Sequence, residues 1–134
     1  MAASDDRLYE YATVRYVPRV DREEFINIGL IMMCKRRRWL RGEIRLKRDR
    51  ILALYPQADL DYLTTQAAVF SHRDVPSAEL PVEERYRWLA AVKSAVLQVS
   101  PSHPGLITET DDQNRDTDSD LDNEFERLMR ELVM

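Results

Sequence analysis

The chain has 134 residues, 44% of them hydrophobic and 33% charged, with a net charge of −4. That length suits one domain spanning residues 1–134 around a single core, and the lone cysteine excludes an internal disulfide or a cysteine-based zinc site. A free thiol fits a reducing compartment. Met1 to Asp6 lacks the apolar core of a secretory signal, and the longest apolar run, Phe25 to Cys34, contains Asn27 and is too short to cross a bilayer. These features lead us to expect a cytoplasmic protein with no membrane association.

The first third reads as β structure. Tyr9 to Val17 is rich in aromatic and β-branched residues and stops at Pro18. From Glu24 to Cys34 both parities are apolar, as in a central strand covered on both sides. Strict alternation sets Ile26, Ile28, Leu30, Met32 and Cys34 on one face, and Phe25, Asn27, Gly29, Ile31 and Met33 on the other. Lys35 to Arg38 forms a turn. Trp39 to Lys47 then alternates, with Leu40, Gly42, Ile44 and Leu46 on one side and Trp39, Arg41, Glu43, Arg45 and Lys47 on the other. Short connections favour an antiparallel meander.

The middle reads as helical. Asp49 suits the cap of a short helix ending at Tyr55-Pro56, and Asp59 opens a second through Leu60, Leu63, Ala67 and Phe70. Arg73 to Leu80 is a polar connector. Pro81 fits a first helical position before Glu83 and Glu84, and that helix runs through Trp88 and Leu89 towards Val92. Ala95 to Val99 returns as a strand. Residues 108–118 read as an acidic, mobile linker to a last helix, capped by Asp118 or Ser119, with Leu121, Phe125, Leu128, Met129 and Leu132 on one face. The fold class is α+β: an antiparallel sheet of three to four strands, the meander plus the returning strand, packed with about four helices.

Polar chemistry concentrates in Gln98-Val-Ser-Pro-Ser-His-Pro-Gly105, where prolines fix the backbone around an amide, two hydroxyls and an imidazole. Charge is also unevenly placed. Lys35 to Arg50 holds nine basic and two acidic residues, and Glu109 to Glu126 holds nine acids and one base, Arg115. The two blocks attract one another or a partner of opposite sign.

In order, Tyr9-Glu-Tyr-Ala, Arg15, Pro18, Arg22-Glu-Glu-Phe-Ile-Asn-Ile-Gly29, Leu80-Pro, Glu84-Arg-Tyr-Arg-Trp-Leu89, Lys93-Ser94, Gln98 to Leu106 and Phe125 to Val133 resemble a bacterial family. That family is catalogued only as a domain of unknown function, number three thousand and thirty-seven in its series. The segment 98–106 is similar to its most specific motif, Q-x-S-P-x-H-x-G. Arg87 departs from the family's expected histidine, Val92-Lys93 from its Pro-Arg, and Pro104 from a common hydroxyl residue. The resemblance implies no reaction. It does imply a neighbour, because members are often encoded beside a HipA-like serine/threonine kinase, and this favours a binding or regulatory role.

Three functions compete on these residues. The first is a non-catalytic module whose contact surface combines Gln98, Ser100 and His103 with the basic strand face of Trp39, Arg41, Arg45 and Lys47. The second is a small hydrolase or transferase with Ser100 as nucleophile and His103 as base. It lacks an orienting acid, and Ser102, adjacent to His103, is a poor partner for it. The third is nucleic-acid binding through the basic face, with Trp39 stacking on a base. The negative net charge and the absence of a recognised motif weigh against it.

Smaller signals have simpler readings. Asn27 inside an apolar strand needs a partner, and Arg15 on the adjacent strand is offered for it, either as a buried network that fixes register or as the polar floor of a binding pocket, with Gly29 allowing close approach of the loop 98–105. Asp112, Asn114 and Asp116 mimic the start of a calcium loop, but Thr117 and Asn123 stand where glycine and a bidentate Glu belong. Cys34 reads as a small core residue and His72 as a helix-end imidazole. No metal or cofactor is expected.

Overall fold

The protein is described here by a computed structural model covering residues 7–71, 80–91, 96–107 and 119–134. Strands β1 (Leu8–Tyr16), β2 (Ile26–Cys34) and β3 (Trp39–Ile44) are followed by helices α1 (Arg48–Leu54), α2 (Leu60–Ser71) and α3 (Val82–Ala90). Strands β4 (Leu97–Val99) and β5 (His103–Leu106) precede helix α4 (Ser119–Leu132). The fold is α+β. Its antiparallel sheet has the order β3-β2-β1-β4, and β5 also pairs with β1.

The sheet is covered on both faces, and alternation in β1 explains how. Ala12, Val14 and Tyr16 pack with Ile51 of α1, Leu63 and Phe70 of α2, and Tyr86 and Leu89 of α3. Tyr9 and Tyr11 pack on the opposite side with Leu121, Phe125, Leu128 and Met129 of α4. Two apolar layers therefore sandwich the sheet, and β2, apolar but for Asn27, runs between them.

In β2, strict alternation fails at one point. Val14 pairs with Gly29 and Arg15 with Asn27, so Ile28 is the extra residue of a bulge. Ile28 joins Ile31 and Met33 on the α1–α3 side, while Leu30, Met32 and Cys34 face α4. Asn27 also turns to the α4 side, where its Nδ2 donates to the Leu132 carbonyl at 3.0 Å. The expected grouping of Ile28 with Leu30, and of Asn27 with Ile31, is thereby corrected. Gly29 gives close approach to β3 rather than to segment 98–105, since a Cβ there would strike the Ile44 side chain and the Glu43 carbonyl.

Other boundaries shift for local reasons. Lys47, without a side-chain cap bond, occupies the cap position of α1, and Asp49 lies in its first turn. Asp59 does cap α2, accepting from the Tyr62 N–H at 3.0 Å. Pro81 is the N-cap of α3, one place before the expected first turn, and α3 closes at Ala90. His72, the connector 73–79, Val92 to Ala95 and the linker 108–118 lie outside the described residues, as do the calcium-like acids Asp112, Asn114 and Asp116. No helix among the described residues is long and apolar enough to cross a membrane.

The segment expected as a loop is mostly strand. Residues 97–99 and 103–106 both pair with β1, and the chain breaks step between them at Ser100 to Ser102. The Ile107 N–H donates to the Arg7 carbonyl, so alternate residues of β5 turn their backbone groups outward. Pro104 falls at such an outward position, where its missing donor costs nothing and blunts the sheet edge.

Helix α4 is clamped along its length. At its start Arg37 forks onto Asp120 at 2.5 and 2.8 Å, both side chains less than a tenth exposed. Midway, fully buried Phe125 meets Trp39 edge-on and lies 4.3 Å beneath the Arg41 guanidinium. At its end Asn27 and Arg50 take the Leu132 and Val133 carbonyls. Removing one partner of a buried pair leaves the other charge stranded, so Asp120→Asn and Arg37→Met should each cost about 3–5 kcal/mol. Urea unfolding followed by circular dichroism measures this. Hydrogen bonds from Arg37 and Arg45 hold Asp120 and Glu126 below their ordinary values of 3.8 and 4.5. A depressed folded pKa contributes stability above the unfolded value and loses it as pH falls through the folded one. The urea midpoint should therefore drop between pH 7 and pH 3, and drop less in Asp120→Asn.

Candidate functional site

The polar residues singled out by sequence come together on one face of the sheet, the face that carries α4. Gln98, Arg15 and Asn27 are direct cross-strand neighbours on β4, β1 and β2, and so form a row. His103 pairs with Tyr11 on the same face, and their rings lie 5.4 Å apart. Tyr9 continues the aromatic line at 6.0 Å from Tyr11. Trp39, Arg41 and Arg45 lie on this face too, beneath and beside α4. Lys47 stands apart, at the start of α1.

Ser100 and His103 do not form a catalytic pair in this geometry. The Ser100 hydroxyl is buried; it accepts the Thr13 N–H at 3.0 Å and donates to the Pro101 carbonyl at 2.9 Å. Together with the Ser100 N–H on the Thr13 carbonyl, it pins the break between β4 and β5 to β1. His103 is exposed, and no hydrogen bond joins it to Ser100. Ser102 turns to the other face, where its hydroxyl donates to Glu10 at 3.1 Å and accepts from Tyr86 at 2.8 Å. Burial pushes the Tyr86 phenol up to about 12, which suits this donor role.

The basic strand face is engaged within the chain. Arg45 bonds Glu126 and Glu43 at 2.8 Å each, and Arg41 reaches Glu126 at 3.0 Å and Asp122 at 3.2 Å. The attraction between basic and acidic blocks is thus satisfied by α4 lying on β3. Asn27, for its part, bonds α4 rather than Arg15, whose guanidinium stacks on Phe25 at 4.3 Å.

Between β5 and α4 lies a cleft of about 770 Å³, lined among others by Tyr9, Tyr11, Gly105, Asn123, Glu124 and Arg127. Gly105 makes room for the Tyr9 ring, which a Cβ would overlap. The Tyr9 hydroxyl donates to Glu124 at 2.5 Å, and Arg127 forks onto the same carboxylate at 2.8 Å. The Arg127 bonds hold Glu124 low, and burial, with Glu124 beside it, holds the Tyr9 phenol high. Sequence reasoning took Tyr9 and Tyr11 as strand formers and missed this wall. Their spacing of two already set both rings on one face, and Glu124 and Arg127 are a helical i, i+3 pair. Among the described residues no group of His, Cys, Asp or Glu is arranged to hold a metal.

The two loop residues should separate in stability. Ser100→Ala leaves the buried Thr13 N–H without its acceptor and should cost about 1–3 kcal/mol, whereas His103→Ala, at an exposed site, should stay within about 0.5 kcal/mol. Paired urea titrations read both. No curated protein and no solved structure matches the chain. The family model described as a protein of unknown function, DUF3037, matches residues 11–133, a span that takes in the row, the pinned strand break and the helix that covers them, and the chain belongs to that family.

Proposed function

We propose that this chain is a non-catalytic binding or regulatory module acting with a protein partner. The observation that carries this reading is the gathering of Arg15, Gln98, Tyr11 and His103 on one sheet face, beside an open cleft, while the hydroxyl a nucleophile needs is bound to backbone at Ser100. Aromatic rings with arginine and amide groups on a rigid sheet suit recognition. Arg41 and Arg45 are already matched by Glu126, which weakens the nucleic-acid reading. The gene association implied by the family makes a HipA-like serine/threonine kinase the partner to test.

Co-purification of the tagged chain with the neighbouring kinase is the direct experiment. Asn123→Trp, which fills the cleft from an exposed helix position, combined with His103→Ala, should weaken association at least about tenfold by calorimetry. Charge reversal at Arg41 and Arg45 is unsuitable here, because it would release α4. Absence of association in the unaltered chain sinks the kinase reading.

A further inference from the structure

We propose that Arg15, stacked on Phe25 and set between Gln98 and Asn27, is a subsite for one carboxylate carried by a protein partner. This inference rests on the binding reading above and names the chemistry of one contact within it.

Three other arginines under α4, Arg37, Arg41 and Arg45, each hold a carboxylate of that helix, and Arg127 of α4 pairs with Glu124. Arg15 holds none among the described residues. Its guanidinium lies 4.3 Å from the Phe25 ring centre, and among the described residues no hydrogen bond uses the guanidinium N–H groups. Nε is buried without a partner, whereas the terminal nitrogens are not among the buried unpaired atoms, and Arg15 as a whole is half-buried. The stacking fixes the plane of the fork, so a ligand need not order it on binding.

The row supplies the rest of the specificity. Asn27 gives its Nδ2 to Leu132, which fixes the amide orientation and leaves Oδ1 buried without a donor. A charged donor and a neutral acceptor, both unfilled, therefore sit on adjacent strands. A carboxylate only accepts, so it engages the terminal nitrogens of the fork and makes no bond to the buried Asn27 Oδ1. Both row neighbours of Arg15 are neutral amides, so the local charge balances one negative charge. That suits a carboxylate gripped by both terminal nitrogens better than a phosphate dianion, which calls for a second cation. Phe25, 47% exposed, offers the apolar contact that usually accompanies an arginine anchor at an interface.

The test uses the isolated chain labelled with ¹⁵N and titrated with an acetylated, amidated Gly-Glu-Gly peptide. Sodium chloride at equal ionic strength and inorganic phosphate are the comparison arms. The Arg15 Nε–H resonance and the amides of Ile26–Ile28 should shift and saturate with a Kd in the millimolar range, as one bidentate pair allows. Arg15→Gln should weaken the response at least about tenfold, and Phe25→Leu about threefold, with the rest of the amide spectrum unchanged. If Arg15→Gln does not fold, the Phe25→Leu weakening decides. A shift no larger than chloride's, an undiminished response in the variants, or tighter binding of phosphate overturns the proposal. Saturation without kinase co-purification keeps the subsite and removes that partner; co-purification without saturation does the reverse.

Discussion

The seating of α4 on the sheet turns on how Phe125 is held. Its ring is fully buried, edge-on to Trp39 and capped by the Arg41 guanidinium, and the same arginine reaches Glu126 one residue along. Apolar burial and charge pairing are thus joined in a single contact. Either alone is modest at a partly exposed site; together they seat α4 against β2 and β3, while Arg15, Gln98 and Tyr11 stay half-buried and His103 exposed on the same face.

Much of this was legible in the sequence, and the failures have physical causes. Alternation placed Trp39 and Arg41 on one face of β3 correctly, with Arg45 just past its end, though not Lys47, and opposite charge blocks anticipated the engagement of Arg41 and Arg45 by α4. Alternation misled in β2, because period-two reasoning assumes one residue per partner, and Ile28 is an extra one. Gly29, a residue that often marks such irregularity, was read instead as a close-approach site for segment 98–105. The density of proline and polar side chains concealed β5, since an edge strand tolerates a proline that a central strand does not. The cleft was out of reach because only tertiary packing sets Tyr9 against Glu124, 115 residues further along the chain.

The conspicuous motif 98–105 also divides its labour more finely than its composition suggests. Ser100 faces inward and fixes the step between β4 and β5, Ser102 ties that step to α3 through Tyr86, and His103 stays outward beside Tyr11. Because the Ser100 hydroxyl is engaged by the Thr13 N–H and the Pro101 carbonyl, it makes no pair with His103.

The bulge at Ile28 has a consequence for folding fidelity. Sliding β2 by one residue against β1 would send Asn27 into the apolar layer of α1–α3 and pull Ile31 and Met33 out of it. It would also take the Leu132 carbonyl from its donor, so α4 could not finish its last turn. An out-of-step hairpin is therefore detected by an element made a hundred residues later, and the end of the chain serves as a proofreading contact for the alignment of its beginning.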